Sequence, residues 1–297
     1  MERPLVVGVD GSAPSLRAVD WAADEAALHG VPLRLVHASL WERYEGAALA
    51  EDLGKPSEQT IAEGIVDAAA RRARERRPEV KVFTGIVPEE PEYALVHEGH
   101  DATALVLGAR GRGGIAEFLL GSVSLGVAAY ATCPVVVLRG APDGQPPTAH
   151  GRIVLGVGEE AHGTEAVRFA FEEAERRGAV LEAVRAWRCP ARESTDHPLL
   201  AGEPARLHER HAAETLETAL DDAVARYPTV RVHRRTAEGP AHKVLLDASA
   251  DADLLVVGAA RRHKEHRFGL QLGRVAHTAL HHAACPVAVV PHRAHPD

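Results

Sequence analysis

The amino-acid sequence predicts an α/β protein. It is read as two Rossmann-like domains in tandem, each a five-stranded parallel sheet with helices on both faces. Three observations carry this. Short apolar runs alternate with helical patterns, which is the order of a doubly wound parallel sheet. The runs are apolar at nearly every residue, as strands covered on both faces are. And the pattern occurs twice. Ile153-Val-Leu-Gly-Val-Gly158 repeats Val6-Val-Gly-Val-Asp10, and Ala166-Val-Arg-Phe-Ala-Phe repeats Ala18-Val-Asp-Trp-Ala-Ala. Leu254-Leu-Val-Val-Gly258 repeats Ala104-Leu-Val-Leu-Gly108, and Cys285-Pro-Val-Ala-Val-Val290 repeats Cys133-Pro-Val-Val-Val-Leu138. A repeat of this length means one fold used twice.

In the first copy, residues 4 to 10 read as the first strand. Asp10-Gly11-Ser12-Ala13-Pro14-Ser15 is a turn, with Ser12 and Ser15 as N-cap candidates. Leu16, Val19, Ala23 and Ala26 then recur at helical spacing, and Gly30 ends the helix. Leu33 to Ala38 is the second strand. Residues 39 to 56 have no clear period and read as an irregular excursion, a candidate lid. A helix over 58 to 77 ends in Arg71, Arg72, Arg74, Arg76 and Arg77, which suit the negative end of its dipole and read as a solvated charged face. Val80 to Gly85 is the third strand. Pro88 and Pro91 precede a short helix to about Gly99. Strand four spans 104 to 108, a helix spans Val123 to Ala131, and Pro134 starts strand five. Residues 141 to 151 are a Pro/Gly-rich linker. The expected domains are therefore 1–140 and 152–297, which agrees with roughly 150 residues per domain in a 297-residue chain.

Bulk numbers exclude several classes. Apolar content is 45% and charged content 26%, as in ordinary globular proteins. A net charge of −8 argues against nucleic acid as a main partner. No apolar run approaches the roughly 20 residues of a membrane span. The first strand follows Met1-Glu2-Arg3-Pro4 directly, so no signal peptide is expected. Three isolated cysteines make no disulfide framework and fit a reducing cytoplasm.

Residues 104 to 124 concentrate the chemistry. After the apolar run Leu105-Val-Leu107 come Gly108, Gly111, Gly113 and Gly114, and then Gly121-Ser122 at a new helix start. Glycines let backbone approach a ligand, and a helix N-terminus offers free N–H groups and partial positive charge. The spacing Gly108-x2-Gly111-x9-Gly121-Ser122 is neither a Walker loop nor a dinucleotide fingerprint. Taken locally, a phosphate cradle and a flexible surface loop both fit it.

This stretch resembles the nucleotide-binding loop of the universal stress protein family, in its ATP-binding branch. That loop has the pattern Gly-x2-Gly-x9-Gly-Ser/Thr, matched here without a gap. Leu5-Val-Val-Gly-Val-Asp-Gly-Ser12 resembles the family's first strand and adenosine-contacting turn, and Ala131-Thr-Cys-Pro-Val-Val-Val-Leu138 resembles its last strand. The resemblance implies an adenine nucleotide alpha hydrolase-like fold with ATP at the carboxyl ends of strands one and four. It implies that Gly8, Val9 and Asp10 meet adenosine. Asp10 would take the ribose or base, since a carboxylate accepts two hydroxyl hydrogen bonds; a local capping role is the alternative. Ala38 would line the adenine pocket. Leu107, Gly108, Arg110 and Gly111 would form the loop segment. Gly121, Ser122, Val123 and Ser124 would form the phosphate-holding turn, with Arg110 and Arg112 adding charge. A Mg²⁺ ion often accompanies ATP in such sites, and the sequence shows no dedicated protein cage for one.

The second copy departs at every polar position. Gly158 stands for Asp10, Glu160 for Ser12, Arg261 for Gly111, Arg274 for Ser122 and Ala276 for Ser124. Its loop from Gly258 to Gly273 is two residues longer. It reads as a degenerate half kept for packing and pairing, or as an anion site rebuilt from Arg261, Arg262 and Arg274. The family's dimer implies that the two domains pair through Val135–Leu138 and Val287–Val290, a pseudo-dimer within one chain, with a further homodimer open.

Catalytic motifs are lacking: there is no G-x-S-x-G elbow and no H-E-x-x-H. The 18 histidines are the compositional oddity. His277 and His281 are four apart on a predicted helix, beside His282 and Cys285, and read as a polar stripe because no third ligand is well spaced. His263 and His266 lie in the lengthened loop. Cys133 and Cys285 occupy matching positions and read as buried small apolar residues, with Cys189 in a loop. The expectation is a cytoplasmic, ATP-binding, nucleotide-dependent regulator with an unknown protein partner. The alternatives are a slow ATP hydrolase, assisted by Asp10 or a metal-held water, and a nucleotide-free scaffold.

Overall fold

A computed structural model describes residues 2–40, 58–109, 120–139, 150–158, 165–189, 203–259 and 272–292. The chain divides into two compact units. The first holds strands β1 (Leu5–Gly8), β2 (Leu33–Ala38), β3 (Val82–Val87), β4 (Ala104–Gly108) and β5 (Val135–Leu138). Its helices are α1 (Ala13–His29), α2 (Glu58–Arg76), α3 (Pro91–Glu98) and α4 (Ser122–Tyr130). All pairings are parallel, in the order β3-β2-β1-β4-β5. The order reverses beside β1 and β4, with Val7 paired to Val106. In open α/β sheets, ligands bind at the carboxyl ends of the strands that flank such a reversal.

The second unit repeats this arrangement. It has β6 (Arg152–Gly156), α5 (Glu165–Arg177), β7 (Val180–Trp187), α6 (Glu203–Arg226) and β8 (Val232–Glu238). It continues with α7 (Ala241–Ser249), β9 (Leu254–Ala259), α8 (Arg274–His282) and β10 (Val287–Pro291). The parallel order is β8-β7-β6-β9-β10.

The sheets form because their central strands bury both faces. Every residue of β4 and β5 is buried, and Leu5, Leu33, Leu35 and Leu105 are fully enclosed. In the second unit Ile153, Leu155, Leu181 and Leu254 take the same part, and Phe171 of α5 is fully buried as well. Burying such a side chain stabilises by roughly 1.5–3 kcal/mol. Helix α1 begins at Ser12, whose side chain accepts from the Ser15 N–H, and ends at Gly30 in the left-handed region at φ 68°.

Three expectations need correction. The third strand is Val82–Val87, two residues later than residues 80 to 85. Val80 is buried, but its N–H donates to Arg77 O in a turn, so its burial serves the loop and not the ladder. The arginines ending α2 are not merely a solvated face. Arg72 binds Asp20 through both carboxylate oxygens at 2.6 Å, and Arg77 Nε donates to Asp24 at 2.7 Å. They fasten α2 to α1, whose Asp20 and Asp24 are four apart on one helix face. The last helix of the first copy is Ser122–Tyr130, one residue earlier than Val123 to Ala131. The candidate lid beyond residue 40, the linker up to residue 149 and the two glycine-loop interiors lie outside the described residues.

Candidate functional site

At the end of β1 the chain turns through Gly11, at φ 78°, a conformation that glycine adopts without a Cβ penalty. Asp10 Oδ1 accepts from Ser12 N at 3.0 Å and from Ser12 Oγ at 2.6 Å. Ser15, 3% exposed, donates from Oγ to Ser12 O at 2.9 Å. The aspartate thus braces the turn that caps α1, so its local role is present in the free protein.

Val9 is buried, and its carbonyl lies 2.7 Å from His37 Nδ1. That oxygen can only accept, so Nδ1 carries the proton in this bond. His37 is the penultimate residue of β2, one before Ala38. The same contact recurs in the second unit, where Arg185, 6% exposed, donates from Nη1 to Val157 O at 3.3 Å. Sequence reasoning missed both residues. The available signal was their equivalence, since His37 and Arg185 each precede an alanine in the second strand of their repeat.

Gly108 closes β4 and is buried. A Cβ there would lie 2.7 Å from the Pro14 carbonyl carbon, so the missing side chain lets α1 approach the strand end. On its other side, Ser124 Oγ donates to Gly108 O at 2.8 Å. Ser124 is 5% exposed, and its only hydroxyl proton is committed to that carbonyl. Gly8 is likewise packed: a Cβ would meet Leu107 Cδ2 at 2.7 Å. Leu107 is buried, filling that space.

The ends of the glycine loop are tied together, with Gly121 N donating to Ala109 O at 2.8 Å and Ala109 N donating to Leu138 O at 2.7 Å. Gly121 is the N-cap of α4 and supplies no side-chain cap. The amides of Ser122, Val123 and Ser124 therefore open the helix without a capping side chain from that position, and Ser122 is exposed. Arg110, Gly111 and Arg112 lie outside the described residues. So the structure ties Gly108 to the start of α1 through Pro14 and to Ser124 of α4, with Asp10 in the turn that opens α1 and Gly121, Ser122 and Val123 in the turn that opens α4.

In the second unit the counterpart of Gly8 is equally packed, an added Cβ at Gly156 meeting Leu245 Cδ1 at 2.7 Å. Among the described residues, Gly158 and Gly273 have nothing within 4 Å of an added Cβ, and for Gly258 the nearest atom is Ala166 Cβ at 3.7 Å. Arg274, where Ser122 stands in the first copy, is exposed. Arg261, Arg262, Glu160, His263 and His266 lie outside the described residues.

Residues 1–139 and 150–291 each match the model of the universal stress protein family. The chain belongs to the universal stress protein family. It is a tandem member with two copies of the domain. Among its relatives, a universal stress protein of Mycobacterium tuberculosis is 33% identical over 295 residues, covering 96% of each chain. One from Mycolicibacterium smegmatis is 33% identical over 304 residues, covering 97% of each. The crystal structure of a universal stress protein from Archaeoglobus fulgidus has a TM-score of 0.67 at 17% identity, covering 98% of this chain and 99% of that one, and shows the shared fold. Among the described residues, no helix of this family member is long and apolar enough to cross a membrane.

Proposed function

We propose that the first unit binds an adenine nucleotide, ATP, accompanied by Mg²⁺, and that the protein is a cytoplasmic stress-response regulator switched by that occupancy. One observation carries the reading. The starts of α1 and α4 both converge on Gly108, through Pro14 on one side and the Ser124 hydroxyl on the other. Two helix N-termini at one strand end concentrate orphan N–H donors and partial positive charge where a phosphate chain would lie. Ser122, Val123 and the backbone of Ser124 are the proposed phosphate contacts, joined by Arg110 and Gly111. Asp10 takes the ribose, whose hydroxyls a carboxylate accepts from. Val9, held by His37, and Ala38 face the base. Bound Mg²⁺ would supply charge neutralisation on the phosphate oxygens.

The second unit lacks the aspartate and the hydroxyls, so its affinity for ATP is low. Calorimetry with ATP and Mg²⁺ is expected to give one site per chain. Gly111→Arg, which copies the second unit, is expected to abolish it. Two equal sites, or unchanged binding by Gly111→Arg, would refute this reading. Steady phosphate release that disappears in Asp10→Ala would favour a hydrolase.

A further inference from the structure

The outer strands β3 and β8 occupy the same place in the repeat and meet solvent differently. Among the described residues, β3 pairs with β2 alone and β8 with β7 alone. Lys81 O and Val87 O accept from Leu33 N and Ser39 N on the β2 side. Bonding groups alternate sides along a strand, so Phe83 and Gly85 serve β2 as well. The N–H and C=O of Val82, Thr84 and Ile86 therefore face outward. This stretch is bounded at both ends. Val80 N donates to Arg77 O at 3.1 Å, and Pro88 has no N–H to give.

A bare strand edge invites another strand, and charged side chains are the usual guard. Strand β8 carries such a guard, with His233, Arg234 and Arg235 in succession. Strand β3 carries none, since Val82-Phe-Thr-Gly-Ile-Val87 has no charged residue. Its β-branched and aromatic residues suit a pleated surface. Phe83 is 43% exposed and Thr84 is exposed, so the middle of the strand is within reach of a partner.

We propose that β3 is a dimerisation edge, at which two copies of this chain pair their β3 strands antiparallel with Thr84 opposite Thr84. This register uses every outward group, because Val82 meets Ile86 of the second copy and Ile86 meets Val82. The side chains complement themselves in it. Phe83 comes opposite Gly85 of the second copy, and an aromatic ring across the strand pair shields an edge glycine. The Arg34 guanidinium lies against Gly85, where an added Cβ would meet Nη2 at 3.1 Å, and it offers that ring a plane to stack on. Lys81 stands diagonal to Glu89 of the second copy, a spacing that long side chains span. The same register in β8 would set Arg234 against Arg234 and His233 against Arg235. Like charges directly opposite destabilise a strand pair, so the second unit is barred from this contact.

Sedimentation velocity of the full chain over a range of concentrations tests the surface. A dimer that dissociates on dilution is expected. Thr84→Arg, which copies β8, should leave the chain monomeric at concentrations where the parent is dimeric. Leu207→Arg, at an apolar residue 59% exposed on α6, should leave the dimer unchanged. Thr84→Cys reads the register itself. Opposed residues of a hydrogen-bonded antiparallel pair have Cα atoms about 5.5 Å apart, within the span of a disulfide. Oxidation should link two chains of Thr84→Cys above the parent's background, and should not link those of Ile86→Cys, which faces Val82. A parent that stays monomeric, a dimer that survives Thr84→Arg, or equal cross-linking at both positions would overturn the proposal. The first of these would leave the edge to an extended segment of another protein.

Discussion

His37 Nδ1 lies 2.7 Å from the carbonyl oxygen of Val9, and this bond holds the end of β1 where Asp10 begins its turn. Arg185 repeats the contact on Val157 with a guanidinium N–H. His37→Ala removes the donor from a buried carbonyl, which costs roughly 1–3 kcal/mol when left unsatisfied. Melting temperature should fall, and ATP affinity should fall by about tenfold as Val9 loses its anchor. His37→Arg, copying the second unit, should recover stability. Calorimetry of both variants checks this; equal affinity in all three proteins would leave His37 without a part in the site.

Gly108 and Gly258 are equivalent in sequence and opposite in surroundings. Gly108→Ala drives a Cβ to 2.7 Å of backbone in α1, and backbone cannot swing aside. Overpacking of this kind costs roughly 1–3 kcal/mol. Among the described residues, Gly258→Ala meets nothing closer than 3.7 Å, and it should stay within about 0.5 kcal/mol of the parent. Urea midpoints of the two variants should separate accordingly, and equal midpoints would contradict the packing described.

Ser122 and Ser124 should divide between binding and architecture. Ser124→Ala breaks the bond to Gly108 O and should lower stability by about 1 kcal/mol. Ser122 is exposed, so Ser122→Ala should leave stability nearly untouched while weakening ATP. Paired melting curves and titrations distinguish the two roles, and the reverse pattern would exchange them.

Burial pushes the thiols of Cys133 and Cys285 up, from an ordinary value of 9.0 to about 11 and about 12. The folded state holds both as neutral thiols. Their folded values lie above the unfolded one, so this contribution to stability is complete below pH 9. It is lost as pH rises from 9 through the folded values. Native chain at pH 8 should therefore resist alkylation at Cys133 and Cys285 and release both only on unfolding. Rapid labelling of either in the native state, located by peptide mass, would contradict the burial.

Much of the fold is readable in the sequence because the central strands are apolar on both faces; β2 and β4 fall on the predicted residues. The edge strand β3 is displaced because its signal is mixed. Phe83 is 43% exposed, and Gly85 sits against the guanidinium of Arg34, so neither obeys a simple pattern. That guanidinium is bound by Glu98 at 2.7 Å, which pushes its pKa up. At the candidate site, Asp10 and Ser122 stand out by their resemblance to a motif. His37 does not, because its partner is a backbone carbonyl 28 residues away and no spacing rule points to it. The sequence places Ser124 in the phosphate-holding turn but does not reveal that its hydroxyl proton is given to Gly108 O.

The bond from Gly121 to Ala109 gives the glycine segment a staple at its root. Strand β4 and helix α4 meet there whatever the intervening residues are. Loop closure depends only weakly on length, so residues can be added or exchanged above the staple at little cost to the sheet. The segment is in that sense a replaceable cassette. A duplicated gene can rewrite the ligand preference of one copy while both continue to fold by the same rules.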